Sequence, residues 1–305
     1  MKIIKSDNGF PYSWRAGRVE HLIRDILERK AEQQLSVDSV MLINPTWLLE
    51  RDLAQEITEA NPDFIICHMF VDPAITQVKE IIEASGRPHV FIGNTDQCRL
   101  DFWAITCDLF FKSYTDEELQ LRTGARKFMC LNRKPHAHRR IIVQALEQVR
   151  EQGYLSSGAD ATLTDADIGD YGVPNDVYTL GDINTWQDAY LNIVTETVFD
   201  GDEFFVSEKT WKPILGLRPF FVYGQPRLRE YLQQQGFDTF EDLIDYTGCK
   251  TQQDYATLAV DTVNKIYPAA YKQLLPRLQH NRQRFHTYVY EQWNRLMTLN
   301  LQTYL

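Results

Sequence analysis

The sequence has no Cys-x-x-Cys pair. Its five cysteines, Cys67, Cys98, Cys107, Cys130 and Cys249, are odd in number and stand far apart. Disulfide frameworks and thiolate zinc sites need paired or closely spaced thiols, so these read as reduced cysteines of a cytoplasmic protein. Long apolar runs are missing too. No stretch approaches the ~18 apolar residues of a membrane span, and the charged start Met1-Lys2-Ile3-Ile4-Lys5-Ser6-Asp7 is not followed by the apolar core of a signal peptide. The chain shows no repeat of fixed period and no low-complexity block. Basic charge is scarce as well. With a formal net charge of −10, any phosphate has to be met by a local exception to the average field.

What is present suits a folded enzyme or binding protein. Hydrophobic residues make up 44% and charged residues 24% of the 305 positions, enough to bury a core without disulfide staples. That length predicts two domains or one large α/β unit. Residues 14–32 read as a helix, 37–43 as a strand, 47–60 as a helix and 64–67 as a strand. A helix over 74–84 and short apolar runs at 89–92 and 109–111 complete a first alternating set. A charged stretch at 115–124 reads as a hinge. Beyond it, strands are expected at 128–131, 190–194 and 219–222, and helices at 137–152, 207–215 and 226–235. A polar region covers 153–184, and the tail from Pro268 is helical. Apolar strands alternating with amphipathic helices predict parallel βαβ units. The expected domains are 1–125 and 126–305.

Two stretches carry chemistry. The first is Leu131-Asn132-Arg133-Lys134-Pro135-His136-Ala137-His138-Arg139-Arg140, which leaves a strand and enters a helix through a proline suited to its first turn. A helix N-terminus carries partial positive charge, so each cation there costs a few tenths to ~1 kcal/mol unless an anion is bound. The competing readings are a solvated basic face and packing histidines. A metal at His136 and His138 has no Asp, Glu or Cys ligand beside it, so none is expected. The second stretch is Phe204-Phe205-Val206-Ser207-Glu208-Lys209-Thr210-Trp211-Lys212-Pro213. Ser207 is a good N-cap. Lys209 in the first turn is a point charge suited to phosphate, and Glu208 can accept hydrogen bonds from a ribose diol.

With its flanks, Ile193-Val194-Thr195-Glu196-Thr197 before and Gly216-Leu217-Arg218-Pro219-Phe220-Phe221-Val222-Tyr223-Gly224 after, the second stretch resembles the donor-binding domain of α-1,3-fucosyltransferase-like enzymes. It is also similar to a broader set of glycosyltransferase-like proteins, several of them phage-encoded. In that set Leu-Asn-Arg and a nearby His-Arg precede Ser-Glu-Lys, as Leu131-Asn132-Arg133 and His138-Arg139 do here. The segment Gly236-Phe237-Asp238-Thr239-Phe240 looks like theirs too. The likeness covers roughly residues 128–245, and nothing in the first domain matches. It implies the GT-B fold, two Rossmann-like domains facing across a cleft, here with a helical C-terminal tail. It implies a nucleotide-sugar donor, with Lys209 on the diphosphate and Glu208 on the ribose. Asn132, Arg133, His138, Arg139 and Ser207 complete that site, and Glu196 takes the acidic position after the strand. Where the fucosyltransferases carry Glu-Asn this chain has Glu196-Thr197, so sugar and base preference do not transfer.

The activity implied is an inverting, metal-independent transfer to an acceptor hydroxyl on a glycan, a protein or a DNA base, with no cofactor. Its base is expected on a turn at a strand's carboxyl end in the first domain, at Asp96, His68 or Asp72. Two other readings use the same cations. One is a non-catalytic nucleotide- or phosphate-binding protein, and the other an interaction protein docking an acidic partner. Trp14, Arg15 and Arg18 are too few to mark a nucleic-acid footprint.

Overall fold

A computed structural model describes residues 1–6, 15–45, 52–69, 75–93, 95, 97–132, 136–156, 179–200 and 205–305. The fold is α/β with two parallel sheets and a long C-terminal helix. Contacts divide the chain into two compact units. The first holds Met1–Thr106, Glu203–Phe205 and Val289–Leu305, the second Cys107–Asp202 and Val206–Tyr288. The division therefore falls ahead of the charged stretch at 115–124, which is a run of turns inside the second unit, and the chain's last stretch returns to the first. No helix of the described residues is long and apolar enough to cross a membrane.

In the first unit, strands β1 (Lys2–Ser6), β2 (Ser39–Ile43), β3 (Phe64–Met69), β4 (His89–Gly93) and β5 (Cys98–Arg99) lie side by side in chain order, all parallel. Successive strand side chains point to opposite faces, and here both faces are covered. Met41, Ile43, Ile65, Cys67 and Phe91 pack with Leu53 and Ile57 of α2 (Leu53–Ala60) and with Val78 and Ile82 of α3 (Ile75–Ala84). The alternate residues Val40, Leu42, Phe64, Ile66, Val90 and Ile92 are equally buried. Such double burial explains the unbroken apolar runs of these strands. Helix α1 (Arg15–Gln34) buries Val19, Ile23, Leu27 and Ala31, one residue per turn. The short apolar run at 109–111, read as part of the alternating set, lies at the end of helix α4 (Phe102–Phe110). Its aromatic residues are apolar on every side, so periodicity alone does not separate helix from strand there. Strand β1 was not foreseen, because its lysines mark a solvated edge rather than a core strand.

The second unit holds β6 (Arg126–Leu131), β7 (Gly153–Ser156), β8 (Ala189–Thr195) and β9 (Phe220–Tyr223), parallel in the order β7-β6-β8-β9. Its helices are α5 (Ala137–Leu146), α6 (Ile183–Gln187), α7 (Glu208–Leu215), α8 (Pro226–Gln234), α9 (Gln252–Lys265) and α10 (Tyr271–Thr298), the last of which crosses into the first unit at Val289. A 3-10 turn, Glu147–Gln152, ends the helix expected over 137–152. Strand β7 opens the region expected to be loop. A side chain at Gly153 would place its Cβ 2.3 Å from the Phe128 ring, so only glycine lets this edge strand pair with β6. Helix α9 is opened by a capping box between Thr251 and Asp254.

The amino end of this sheet is held by Arg218, which is fully buried. Its guanidinium donates to the carbonyls of Leu119, Trp186, Ala189, Gly216 and Leu217 and to the Tyr271 hydroxyl. Burial lowers its pKa to about 10, which leaves it charged at neutral pH. The Gly-x-x-Pro part of the motif thus ties the base of the sheet together, away from the strand ends where ligands bind.

Candidate functional site

Strand β6 has β7 on one side and β8 on the other, so the chain leaves it in one direction and returns in the opposite one. In open parallel sheets ligands bind at the carboxyl ends of strands beside such a reversal. The residues there are Asn132 after β6, Thr195 and Glu196 at the end of β8, and the first turn of α5.

Most of their polar atoms serve the protein itself. Asn132 is buried and joins three strands. Its backbone N–H donates to Ser156 Oγ (2.9 Å), its side-chain amide to Cys130 Sγ and the Ser156 carbonyl, and its oxygen accepts from the Thr195 hydroxyl. His138 Nε2 lies 2.9 Å from the Glu196 carbonyl, which can only accept, so the proton sits on Nε2. Burial lowers the pKa of this ring and keeps it neutral. Arg139 Nη2 donates to the Thr195 and Glu196 carbonyls at 3.2 and 3.1 Å. His138 and Arg139 therefore dock α5 on the end of β8.

Glu196 is completely buried. Its Oε1 accepts from Ser207 N (3.1 Å) and Thr210 Oγ1 (2.6 Å), and its Oε2 from Ser207 Oγ (2.6 Å) and Thr197 N (3.0 Å). A Cβ at residue 224 would come within 2.9 Å of the Glu196 Cβ, so Gly224 leaves room for this carboxylate. Ser207 caps α7 as expected, its oxygen accepting from Lys209 N. Lys209 Nζ lies 2.7 Å from Glu208 Oε1 and 3.4 Å from both Ser207 Oγ and Thr197 Oγ1. Its side chain is 30% exposed, against 8% for Glu208. Burial pushes the Glu208 carboxyl up, but Lys209, Lys212 and its hydrogen bonds outweigh that, and the net shift is downward.

The two helix entrances differ in the acidic groups around them. Lys209 was expected to sit against the α7 dipole with an external anion to relieve it. Glu196 and Glu208 already supply negative charge there. At α5 the first turn holds no acid, His136 occupies the cap position without a side-chain cap bond, and His136 and Arg140 are exposed. Arg133 lies outside the described residues.

Of the three expected bases, Asp72 and Asp96 lie outside the described residues. His68 is described, and it is not on an open turn. It lies inside β3, fully buried, with Nδ1 3.9 Å from Glu20 Oε1. Glu20 also accepts from Arg24 at 2.7 Å and from the Asn44 amide at 3.3 Å, and all these side chains are buried. Burial first, then the positive charge of Arg24 and His21, drive the His68 pKa down to about 3. This cluster went unread in the sequence, although Glu20 and Arg24 stand one turn apart among Val19, Ile23 and Leu27 on the apolar face of α1. Among the described residues no group of three or more His, Cys, Asp or Glu is arranged to hold a metal ion. Comparison with protein-family models, with curated proteins and with solved structures finds no significant match to this chain.

Proposed function

We propose that the chain is a glycosyltransferase of the GT-B type that binds a nucleoside-diphosphate sugar at the carboxyl edge of the second sheet. One observation carries the reading. Beside the reversal between β6 and β8, a helix with no acid in its own first turn and with exposed His136 and Arg140 occurs together with the partly exposed side chain of Lys209. The first turn of α5 is a local exception in a chain of net charge −10. As the sugar departs, negative charge grows on the diphosphate, and preorganised cations and helix N–H groups stabilise it. Binding a phosphate requires the Lys209 ammonium to turn from Glu208, its present partner. Glu208 is then available to a ribose diol. In this reading the second unit holds the donor and the first the acceptor. The acceptor proton passes to Asp96 or Asp72, since His68 is sealed and a ring with a pKa near 3 is a weak base at neutral pH.

The test is release of nucleoside diphosphate from UDP-glucose, GDP-mannose, GDP-fucose and dTDP-glucose, with and without glycan, protein and DNA acceptors. Lys209→Ala is expected to lower turnover by about 10²-fold, as loss of one electrostatic donor does, while the protein still folds. Full turnover in that variant removes Lys209 from the mechanism. Saturable binding of these compounds with no release identifies a binding protein instead.

A further inference from the structure

Glu196 has nothing left to offer a ligand. Its four hydrogen bonds occupy both carboxylate oxygens, and it is fully buried. The groups it holds are nonetheless those around the Lys209 ammonium. Of the three hydrogen-bond partners of Lys209 Nζ among the described residues, one is Ser207 Oγ, which donates to Glu196 Oε2. Another is the hydroxyl of Thr197, whose backbone N–H also donates to Glu196 Oε2. The carboxylate is sealed from solvent, yet it holds one of the hydroxyls that bracket the cation and the backbone of the residue that carries the other.

We propose that Glu196 is a positioning residue that acts through Lys209, holding the 197 segment and the entrance of α7 so that the ammonium stays at the strand edge. The inference deepens the proposed function and rests on it for the identity of the ligand, a nucleoside diphosphate. Glu196→Gln isolates the effect. Its amide oxygen can still accept from Ser207 N and Thr210 Oγ1. Its NH2 then faces the Thr197 N–H, donor against donor, and releases that segment while Ser207 still caps the helix.

Two measurements decide the matter. In competitive acetylation read by peptide mass spectrometry, Glu196→Gln is expected to raise the labelling rate of Lys209 several-fold and leave Lys212, on the same helix, unchanged. In calorimetric titration with UDP and with GDP, Lys209→Ala and Glu196→Gln are each expected to weaken binding about tenfold. The double variant is expected to bind no more weakly than Lys209→Ala alone, because the two act through one contact. Unchanged Lys209 labelling, an equal rise at Lys212, or additive losses in the double variant overturn the proposal. A wild-type protein that binds neither UDP nor GDP overturns the diphosphate reading, and the labelling ratio still decides the role of Glu196. If Glu196→Gln does not fold, Thr197→Val removes one bracketing hydroxyl, keeps the carboxylate, and carries the same labelling test.

Discussion

At the carboxyl ends of the two sheets, the described polar groups differ in how many reach solvent. In the first, Asn44, His68, Glu20 and Arg24 close on one another and none reaches solvent. In the second, Asn132, His138, Arg139 and Glu196 are likewise turned inward, but they hold up a rim on which His136, Arg140 and Lys209 stay accessible. The strand order differs in the same sense. It runs monotonically from β1 to β5 in one sheet and reverses between β6 and β8 in the other. Polar residues at strand ends are therefore not a site in themselves. A ligand site also needs groups within reach of solvent, and an inward-facing layer of this kind is what can position them.

The sharpest way to break this contrast is to cut the buried cluster. Arg24→Met leaves the Glu20 carboxylate buried without its guanidinium and is expected to cost about 3–5 kcal/mol in urea unfolding. The double variant Glu20→Gln, Arg24→Met is expected to recover most of that loss. A loss under about 1 kcal/mol would show that the pair is not sealed. Next in size is a pH effect. The folded pKa of His68 lies near 3, below the 6.5 of an unexposed-to-structure histidine, so the unfolded chain takes up the proton first as pH falls. The stability contributed by neutral His68 is complete above pH 6.5 and declines progressively toward pH 3. From pH 6.5 to 5 the wild type is expected to lose up to ~2 kcal/mol more than His68→Gln. Equal slopes for the two proteins would place His68 in contact with water.

On the second sheet, Ser207→Ala removes the α7 cap and one donor to Glu196 together, with an expected cost of about 2 kcal/mol by thermal or urea unfolding. The smallest effect belongs to Leu131, which is 55% exposed at the end of β6. Leu131→Ser is expected to change stability by less than about 0.5 kcal/mol, and a larger loss would mean that this edge is covered.

Much of the fold was legible because its central strands are continuous apolar runs between helices of clear period. The edge strands were not. Lys2 and Lys5 stand within β1, and the Gly-Tyr-Leu-Ser of β7 begins a polar stretch, so both look like loop until a partner strand is present. The site divides along a similar line. The start of α5 after the proline and the Ser207 cap were legible, because they depend on neighbours in sequence. Sequence did not show that Arg139 turns toward the carbonyls of residues 195 and 196, or that Glu196 neutralises α7, because those contacts join segments many residues apart. The same limit hid the surroundings of His68, whose partner Glu20 lies 48 positions earlier.

The return of the chain to its first unit has a practical side. Lys30 Nζ donates to the carbonyls of Met297 and Leu299, and the Gln34 side chain accepts from Leu301 N. Residues 107–202 and 206–288 are thus bracketed in sequence by parts of the other unit. A chimaera that exchanges the second unit with that of another protein therefore has to swap an internal cassette, with junctions inside α4 and α10. Joining two halves at the charged turn would strand Lys30 and Gln34 without their C-terminal partners and take the Leu119 carbonyl from Arg218.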